Sequence, residues 1–368
     1  MIKILVINTV RFKLNGISAV IKNYYQAMDK ENMKMDFLAI DDPSDEYRAF
    51  FEKNHLNCFV FHKKNIASYF SGIIRLCRQE KYDIVHVHGN SANMAIELLA
   101  AALGRVKHRI AHSHNTATLH PLTHRILSPL FSALCTTRLA CGEDAGKWLY
   151  RNKTFTTLKN GIDVSKFKIV PDIRTEYRKR LQIGKDDILI GHVGNFIEQK
   201  NHTYLIDIFN EIHQHEPNAK LLLISDGMLL NDIKEKVRQL HLDDFVIFLG
   251  KTMEVEKYLQ AMDVFLLPSL HEGLPLVLVE AQASGLPCIV SETVSKEADL
   301  IGRCKYLPIG KADIKKWVKE VFDLYHENVV CNRREISEFN QNIIRDKGYD
   351  IAQNVNILRK IYIDVCEE

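Results

Sequence analysis

Residues 268–287 read Pro-Ser-Leu-His-Glu-Gly-Leu-Pro-Leu-Val-Leu-Val-Glu-Ala-Gln-Ala-Ser-Gly-Leu-Pro, with seven residues between Glu272 and Glu280. Gly273 and Pro275 stand where a loop turns into a helix, and Gly285 and Pro287 where that helix stops. Proline is tolerated at a helix start because its missing N–H would have no partner there. The unpaired N–H groups of the first turn, with the positive end of the helix dipole, favour a phosphate or diphosphate. One carboxylate then lies at the loop edge and the other inside the helix. Carboxylates accept hydrogen bonds and suit sugar or ribose hydroxyls. An amphipathic helix with an exposed acid near each end is the plain alternative. The surrounding P-S-x-x-E-G-L-P and E-A-x-A-x-G-x-P favour a site. A hydrolytic acid pair is disfavoured, because eight helical residues rise about 12 Å whereas such pairs lie roughly 5–9.5 Å apart.

Outward from this stretch, short β-branched runs alternate with helical patterns. Strands are expected at 2–8, 34–40, 57–61, 82–88, 108–113 and 136–141, with helices at 17–30, 66–80, 91–103 and 122–134. The pattern pauses at Asn160-Gly161-Ile162-Asp163 and through the charged stretch 165–187. It restarts with strands at 188–194, 219–224, 245–249, 263–267 and 287–291, and helices at 201–215, 229–241, 254–262 and 275–284. The tail 311–366 reads as helix. Such alternation predicts two doubly wound parallel-sheet units. Ligands of such sheets bind outside the carboxyl ends of the strands, and with two such units the cleft between them is the expected site.

The 368 residues allow two cores, and 46% hydrophobic with 26% charged residues suits a soluble chain. Eight cysteines without a C-x-x-C pair argue against a zinc ribbon or disulfide framework and for a reducing cytosol. The first residues read as a strand rather than a leader, and no run approaches the ~20 apolar residues of a membrane span. Residues 1–164 hold 22 Lys and Arg against 14 Asp and Glu, a net +8, whereas the whole chain is +3. A basic first half suits an acidic partner such as a membrane surface or a lipid diphosphate, or is surface bias alone. The basic residues are dispersed and no nucleic-acid module is present. Helical stretches 65–80 and 122–134 are amphipathic, a pattern shared by membrane-contacting and core-facing helices.

With these motifs in place, the chain resembles the retaining glycosyltransferases of family 4, in particular those that build capsule and exopolysaccharide. Their E-x7-E lies in this strand–loop–helix setting, and N-G-I-D at 160–163 matches their domain connection. The resemblance implies an α/β, GT-B fold: two facing Rossmann-like domains with a C-terminal helix crossing back to the first. It implies an acceptor-side domain over 1–164, a nucleotide-sugar domain over 165–346, and a returning helix over 347–368. The implied reaction moves a sugar from a nucleotide sugar, with UDP the expected nucleotide, to a saccharide or polyprenyl-diphosphate-linked saccharide. No cofactor or metal is expected. A cytoplasmic location is expected, with peripheral membrane contact through the basic first domain.

The resemblance assigns catalysis to His114, Lys200 and Glu272. His114, in Ala-His-Ser-His-Asn at the end of strand 108–113, faces the donor sugar. Lys200, in Gly-His-Val-Gly-Asn-Phe-Ile-Glu-Gln-Lys, neutralises the diphosphate. Asn195 stands where the family carries Arg, so a bidentate cation is replaced by a neutral amide. The donor is expected against Gly16, Asn195, Lys200, Asp226, Gly227, Glu272, Gly273, Leu274, Leu276 and Glu280, with Glu280 on the ribose and Glu272 on the sugar. Gly16 is a single glycine where the family usually has two, and Ser225-Asp226-Gly227 is equally a good turn. His86, His88 and His112 share strand spacing with His114 and are read as packed side chains rather than zinc ligands. Two other readings stay open: a sugar-nucleotide-binding protein without catalysis, and a nicotinamide oxidoreductase, against which no G-x-G-x-x-G follows a strand.

Overall fold

The computed structural model describes residues 1–116, 118 and 120–367, and of 328–330 the backbone only. The chain forms two compact units, Met1–Gly161 with Gly348–Glu368, and Ile162–Lys347. The first unit contains, in chain order, β1 (Ile2–Asn8), α1 (Gly16–Ala27), β2 (Met33–Ala39), α2 (Asp45–Lys53), β3 (Cys58–Val60), α3 (Ile66–Glu80), β4 (Ile84–Gly89), α4 (Ala95–Leu103), β5 (His108–Ser113), α5 (Pro121–Leu134), β6 (Thr137–Ala140), α6 (Glu143–Tyr150) and β7 (Thr156–Thr157). Its strands form one parallel sheet in the order β3-β2-β1-β4-β5-β6-β7.

The second unit contains α7 (Pro171–Arg180), β8 (Leu189–Val193), α8 (His202–His215), β9 (Lys220–Ile224), α9 (Leu230–Gln239), β10 (Val246–Gly250), α10 (Val255–Ala261), β11 (Val264–Leu267), α11 (Leu276–Ala283), β12 (Cys288–Ser291), β13 (Lys305–Leu307), α12 (Ile314–Val330) and α13 (Arg333–Asp346). Its parallel order is β10-β9-β8-β11-β12-β13. The last helix, α14 (Ile351–Glu367), belongs to the first unit. Asn354 donates to Lys159 O at 3.0 Å, and the Tyr362 hydroxyl lies 2.6 Å from His86 Nδ1.

Strands buried on both faces read as near-continuous apolar runs, and the sheet centres bear this out. Ile4, Leu5, Ile7, Ile190, Leu221, Leu223, Phe265 and Leu266 are fully buried. Helix α3 directs Tyr69, Ile73, Leu76 and Cys77 into the core, so its stripe is a packing stripe. Helix α11 stops at Gly285, whose φ of +64° favours glycine. The stop is a paired one: Gly285 N–H reaches Gln282 O and Leu286 N–H reaches Ala281 O, both at 3.0 Å.

Three helices lie where the sequence pattern placed none. Helices α2 and α6 are short, and α7 falls inside the charged stretch read as a pause. Helix α7 is held by charge rather than by an apolar stripe. Arg174 and Arg178 bind the Asp263 carboxylate at 2.5 and 2.9 Å, and Asp263 also accepts from Leu189 N–H at 2.8 Å.

Candidate functional site

The strand order of the second unit reverses at β8, whose neighbours are β9 on one side and β11 on the other. Loops leaving the carboxyl ends of β8 and β11 therefore run in opposite directions and open a crevice there. Lys200 ends a short 3-10 turn, Glu198–Lys200, after β8, and Glu272 lies in the loop after β11. Their side chains form an ion pair, little exposed at 16% and 10%. The two loops are stitched by Leu270 N–H to Gln199 O at 2.8 Å, Gln199 Nε2 to His271 O at 2.9 Å and Asn201 Nδ2 to Pro268 O at 3.1 Å. Glu272 is fixed further by the Ser269 hydroxyl at 3.1 Å, and its carbonyl accepts from Ser295 N–H at 2.9 Å. A carboxylate and an ammonium held this way are preorganised for charged or hydroxylated groups.

Pro275 is the N-cap of α11, one residue before the helix proper, and no side chain caps the first turn. Leu278 N–H donates to Pro275 O at 2.9 Å, which leaves the N–H groups of Leu276 and Val277 to an anion. Gly273 is exposed, and a Cβ there would meet nothing within 4 Å; Leu274 and Leu276 flank the turn half-buried. Glu280 lies on the second turn of α11, half-buried, and its carboxylate makes no hydrogen bond or ion pair among the described residues. Burial, and then the charge of Glu256, push its carboxyl up to about 7.

After β9, Ser225 takes a φ of 130° and its hydroxyl donates to Asn195 Oδ1 at 2.7 Å. Asp226 pairs with Lys251 at 3.5 Å, and its carboxylate accepts from Gly227 N–H at 2.7 Å. Gly227 is forced by packing: a Cβ would lie 2.5 Å from both Phe196 N and Phe196 O. Asn195, Asp226 and Gly227 thus form one corner, and Lys200 with Glu272 a second. The cations of these corners, Lys251 and Lys200, each pair with a carboxylate. Sequence reasoning missed Lys251, which directly follows β10 and was findable from the strand-end rule. It also missed Ser269, quoted in the motif without a role, and the wholly buried His192. His192 bonds Leu266 O through Nδ1 at 2.8 Å, and among the described residues its Nε2 has no partner, lying 2.9 Å from a Cβ placed on Gly194. Its imidazole is held well below the ordinary range by burial, then by His202.

In the first unit, Gly16 is the exposed first residue of α1, after the N-cap Asn15, whose side chain accepts from Ser18 N–H at 3.0 Å. His114 follows β5, and its backbone N–H donates to Gly89 O at 3.1 Å. Its Nε2 lies 2.9 Å from His88 Nδ1, and its Nδ1 is buried. Burial lowers its pKa to about 3, opposed by Asn160. The parallel register sets His88 opposite His112, so His86, His88, His112 and His114 share one sheet face. One ring nitrogen each of His86, His88 and His112 lies within 4.8 Å of the others. The rings stack, however: His86 is 27° from His88 and 10° from His112. Lone pairs lie in the ring plane, so stacked rings point them side by side, whereas a tetrahedral ion needs them convergent.

The comparisons identify the family. Residues 173–342 match the family described as Glycosyl transferases group 1, and residues 14–166 match Glycosyltransferase Family 4. The "Putative glycosyltransferase EpsF" of Bacillus subtilis is 32% identical over 94% of this chain and 93% of its own length. The UDP-Gal:alpha-D-GlcNAc-diphosphoundecaprenol alpha-1,3-galactosyltransferase of Escherichia coli is 26% identical over 96% and 94%. Anabaena HepE, solved in complex with UDP-glucose, superposes with a TM-score of 0.80 at 16% identity, covering 99% of this chain and all of its own. Fold, site motifs and the full-length relative converge: this chain belongs to the family 4 glycosyltransferases, with the GT-B fold.

Proposed function

We propose that the chain transfers a hexose, with retention, from a UDP-sugar to a hydroxyl of a saccharide carried on a polyprenyl diphosphate, without a metal ion. The observation that carries the reading is the Lys200–Glu272 pair at the switch point of the second sheet, beside the uncapped start of α11 with Glu280 on its second turn. Lys200 and the first turn of α11 take the diphosphate, Glu280 the ribose hydroxyls, and Glu272 the hexose hydroxyls. The Asp226–Gly227 corner lies towards the base, and His114 keeps the sugar-facing role given by resemblance. The relatives support the donor and acceptor classes: the Escherichia coli protein is named for UDP-Gal and a diphosphoundecaprenol-linked sugar, and HepE was solved with UDP-glucose.

The acceptor oxygen attacks C1 on the face from which UDP leaves. The C1–O bond to phosphate breaks as the new bond forms, and the acceptor proton passes to the departing phosphate oxygen. No protein nucleophile is required. Lys200 and the helix start stabilise the charge that grows on the leaving diphosphate.

A panel of nucleotide sugars, each with and without lipid-diphosphate saccharide, tests the reading. UDP release that depends on acceptor, survives a chelator and yields a product with the donor's anomeric configuration supports it. An inverted product overturns retention, and inhibition by chelator that added divalent ion reverses overturns the metal-free claim. A second reading, a binder without catalysis, is favoured by one observation: Asn195 is engaged by the Ser225 hydroxyl where the family carries Arg. Nucleotide binding with no UDP release under any condition, and release restored by Asn195→Arg, would select it.

A further inference from the structure

His192 stands at the carboxyl end of β8, wholly buried. Its Nδ1 lies 2.8 Å from Leu266 O. A carbonyl only accepts, so Nδ1 carries the hydrogen and donates. Burial, and then His202, hold the imidazole well below its ordinary range, so the ring is neutral. A neutral ring with its hydrogen on Nδ1 has a bare lone pair on Nε2. The carbonyl bond and the flanking rings of Phe265, at 6.3 Å, and His202, at 4.8 Å, fix where that lone pair points. Among the described residues Nε2 has no partner. Buried polar atoms in native folds are nearly always paired, so an orphan of this kind calls for an occupant.

What lies against Nε2 is Lys200. The place a Cβ would take on Gly194 is 2.9 Å from His192 Nε2, 3.1 Å from Lys200 Cδ and 3.2 Å from Lys200 Cγ. The lysine stem therefore runs past the lone pair, with its ammonium two bonds beyond Cδ. A water is a poor occupant, because it needs about two to four polar partners and the other atoms nearest that point are methylenes. Phosphate and carboxylate oxygens only accept, so they are excluded. An ammonium only donates, and it fits.

We propose that His192 is a positioning residue for Lys200, its Nε2 offering the ammonium a second seat that is taken when a diphosphate occupies the crevice. The inference rests on the reading of Lys200 as the cation of the leaving group. In the structure the ammonium pairs with Glu272, and the two charges cancel. A neutral acceptor holds an ammonium without cancelling its charge. Seated on His192, Lys200 keeps its full charge for the diphosphate, and Glu272 is released to accept sugar hydroxyls. Asn195 supplies no cation where the family carries Arg, so more of the leaving-group charge falls to Lys200.

Two substitutions separate the two ends of the ring. His192→Asn keeps a donor for Leu266 O and removes the far acceptor. His192→Gln restores an acceptor at the far position and gives up the Leu266 bond. Isothermal titration of the full chain with pyrophosphate, UDP and uridine reads the site, and thermal melting reads the fold. His192→Asn is expected to melt like wild type and to bind uridine like wild type. It should bind pyrophosphate and UDP about tenfold more weakly, as loss of a charge-assisted hydrogen bond implies. His192→Gln is expected to melt about 2–4 °C lower, with pyrophosphate and UDP affinities within about threefold of wild type. A histidine with a structural role alone would make affinity follow stability. In a Lys200→Gln background, His192→Asn should weaken UDP binding no further, because its effect runs through Lys200. Each of four results overturns the proposal: wild-type diphosphate affinity in His192→Asn, equal weakening for uridine, a loss in His192→Gln as large as in His192→Asn, or an undiminished loss in the Lys200→Gln background. Wild type that binds pyrophosphate but not UDP overturns the nucleotide reading alone, and the pyrophosphate titrations then decide the seat. Wild type that binds neither overturns both.

Discussion

Replacing Glu280 by Gln should make the protein more stable and a poorer nucleotide binder above pH 7, and both effects should fade in acid. The Glu280 carboxyl is pushed up to about 7 from an ordinary 4.5, first by burial and then by Glu256, and among the described residues it has no hydrogen-bond or ion-pair partner. A carboxyl whose folded pKa is raised costs stability wherever it is ionised. The cost is absent below about pH 4.5, grows between pH 4.5 and 7, and is complete above 7. The shift corresponds to about 3 kcal/mol at 1.36 kcal/mol per unit, reduced to roughly 2 kcal/mol by the water that reaches a half-buried side chain. Glutamine keeps the shape without the charge. In a unit of the size of Ile162–Lys347, roughly 2 kcal/mol raises the melting temperature by about 4–8 °C. Calorimetric melts of wild type and Glu280→Gln at pH 8 and pH 4.5 measure this: a rise at pH 8 and no difference at pH 4.5. Isothermal titration at pH 8 should show UDP binding weakened about tenfold, since a charge-assisted hydrogen bond is about twice a neutral one. Equal stabilisation at both pH values, or destabilisation at pH 8, refutes the account of an unpaired, desolvated carboxylate.

Further predictions follow from the same reasoning. Because the ionised carboxylate is the better acceptor for ribose hydroxyls, UDP affinity should fall as pH drops below 7, with proton release on binding near pH 6.5, and Glu280→Gln should flatten that profile. His86 and His114 are lowered to about 3, and His88 and His112 well below the ordinary value, all chiefly by burial. Neutral in the folded chain and protonated in the unfolded one below 6.5, they stabilise the fold above 6.5 and lose that contribution as pH falls. Four such groups remove about 5 kcal/mol per pH unit, so the first unit should unfold near pH 5 in circular dichroism, and a transition below pH 3 would contradict this. Gly227→Ala should cost at least about 2 kcal/mol and abolish UDP binding, because a Cβ there meets the Phe196 backbone at 2.5 Å; normal melting would show that the corner can give. Lys200→Gln should lower kcat about 100-fold or more in a UDP-release assay, and an effect on KM alone would place Lys200 outside the leaving-group site.

Much of the fold was legible because parallel strands buried on both faces must be apolar runs, and because helix punctuation is local. Gly285 after α11 and the alternation from 188 to 291 needed no tertiary information. Helix α7 escaped because its reason for existing lies elsewhere in the chain. In α7 only Tyr177 and Arg178 are buried, and its docking depends on Asp263, more than eighty residues away. The site divides in the same way. Residue type and spacing marked Glu272 and Glu280, and the resemblance marked Lys200. That Lys200 and Glu272 meet, that Ser269 braces the acid, and that Lys251 reaches Asp226 became visible only once β8, β9, β10 and β11 were ordered in the sheet.

The sequence by itself determined most of the alternation of strands and helices and which charged residues stand at the candidate site, since periodicity, capping and side-chain chemistry are properties of neighbours along the chain. The tertiary structure decided the protonation of those residues. Desolvation and pairing depend on what packs around a group, and the partners that set Glu280 near 7 and the four histidines far below 6.5 come from other strands and helices.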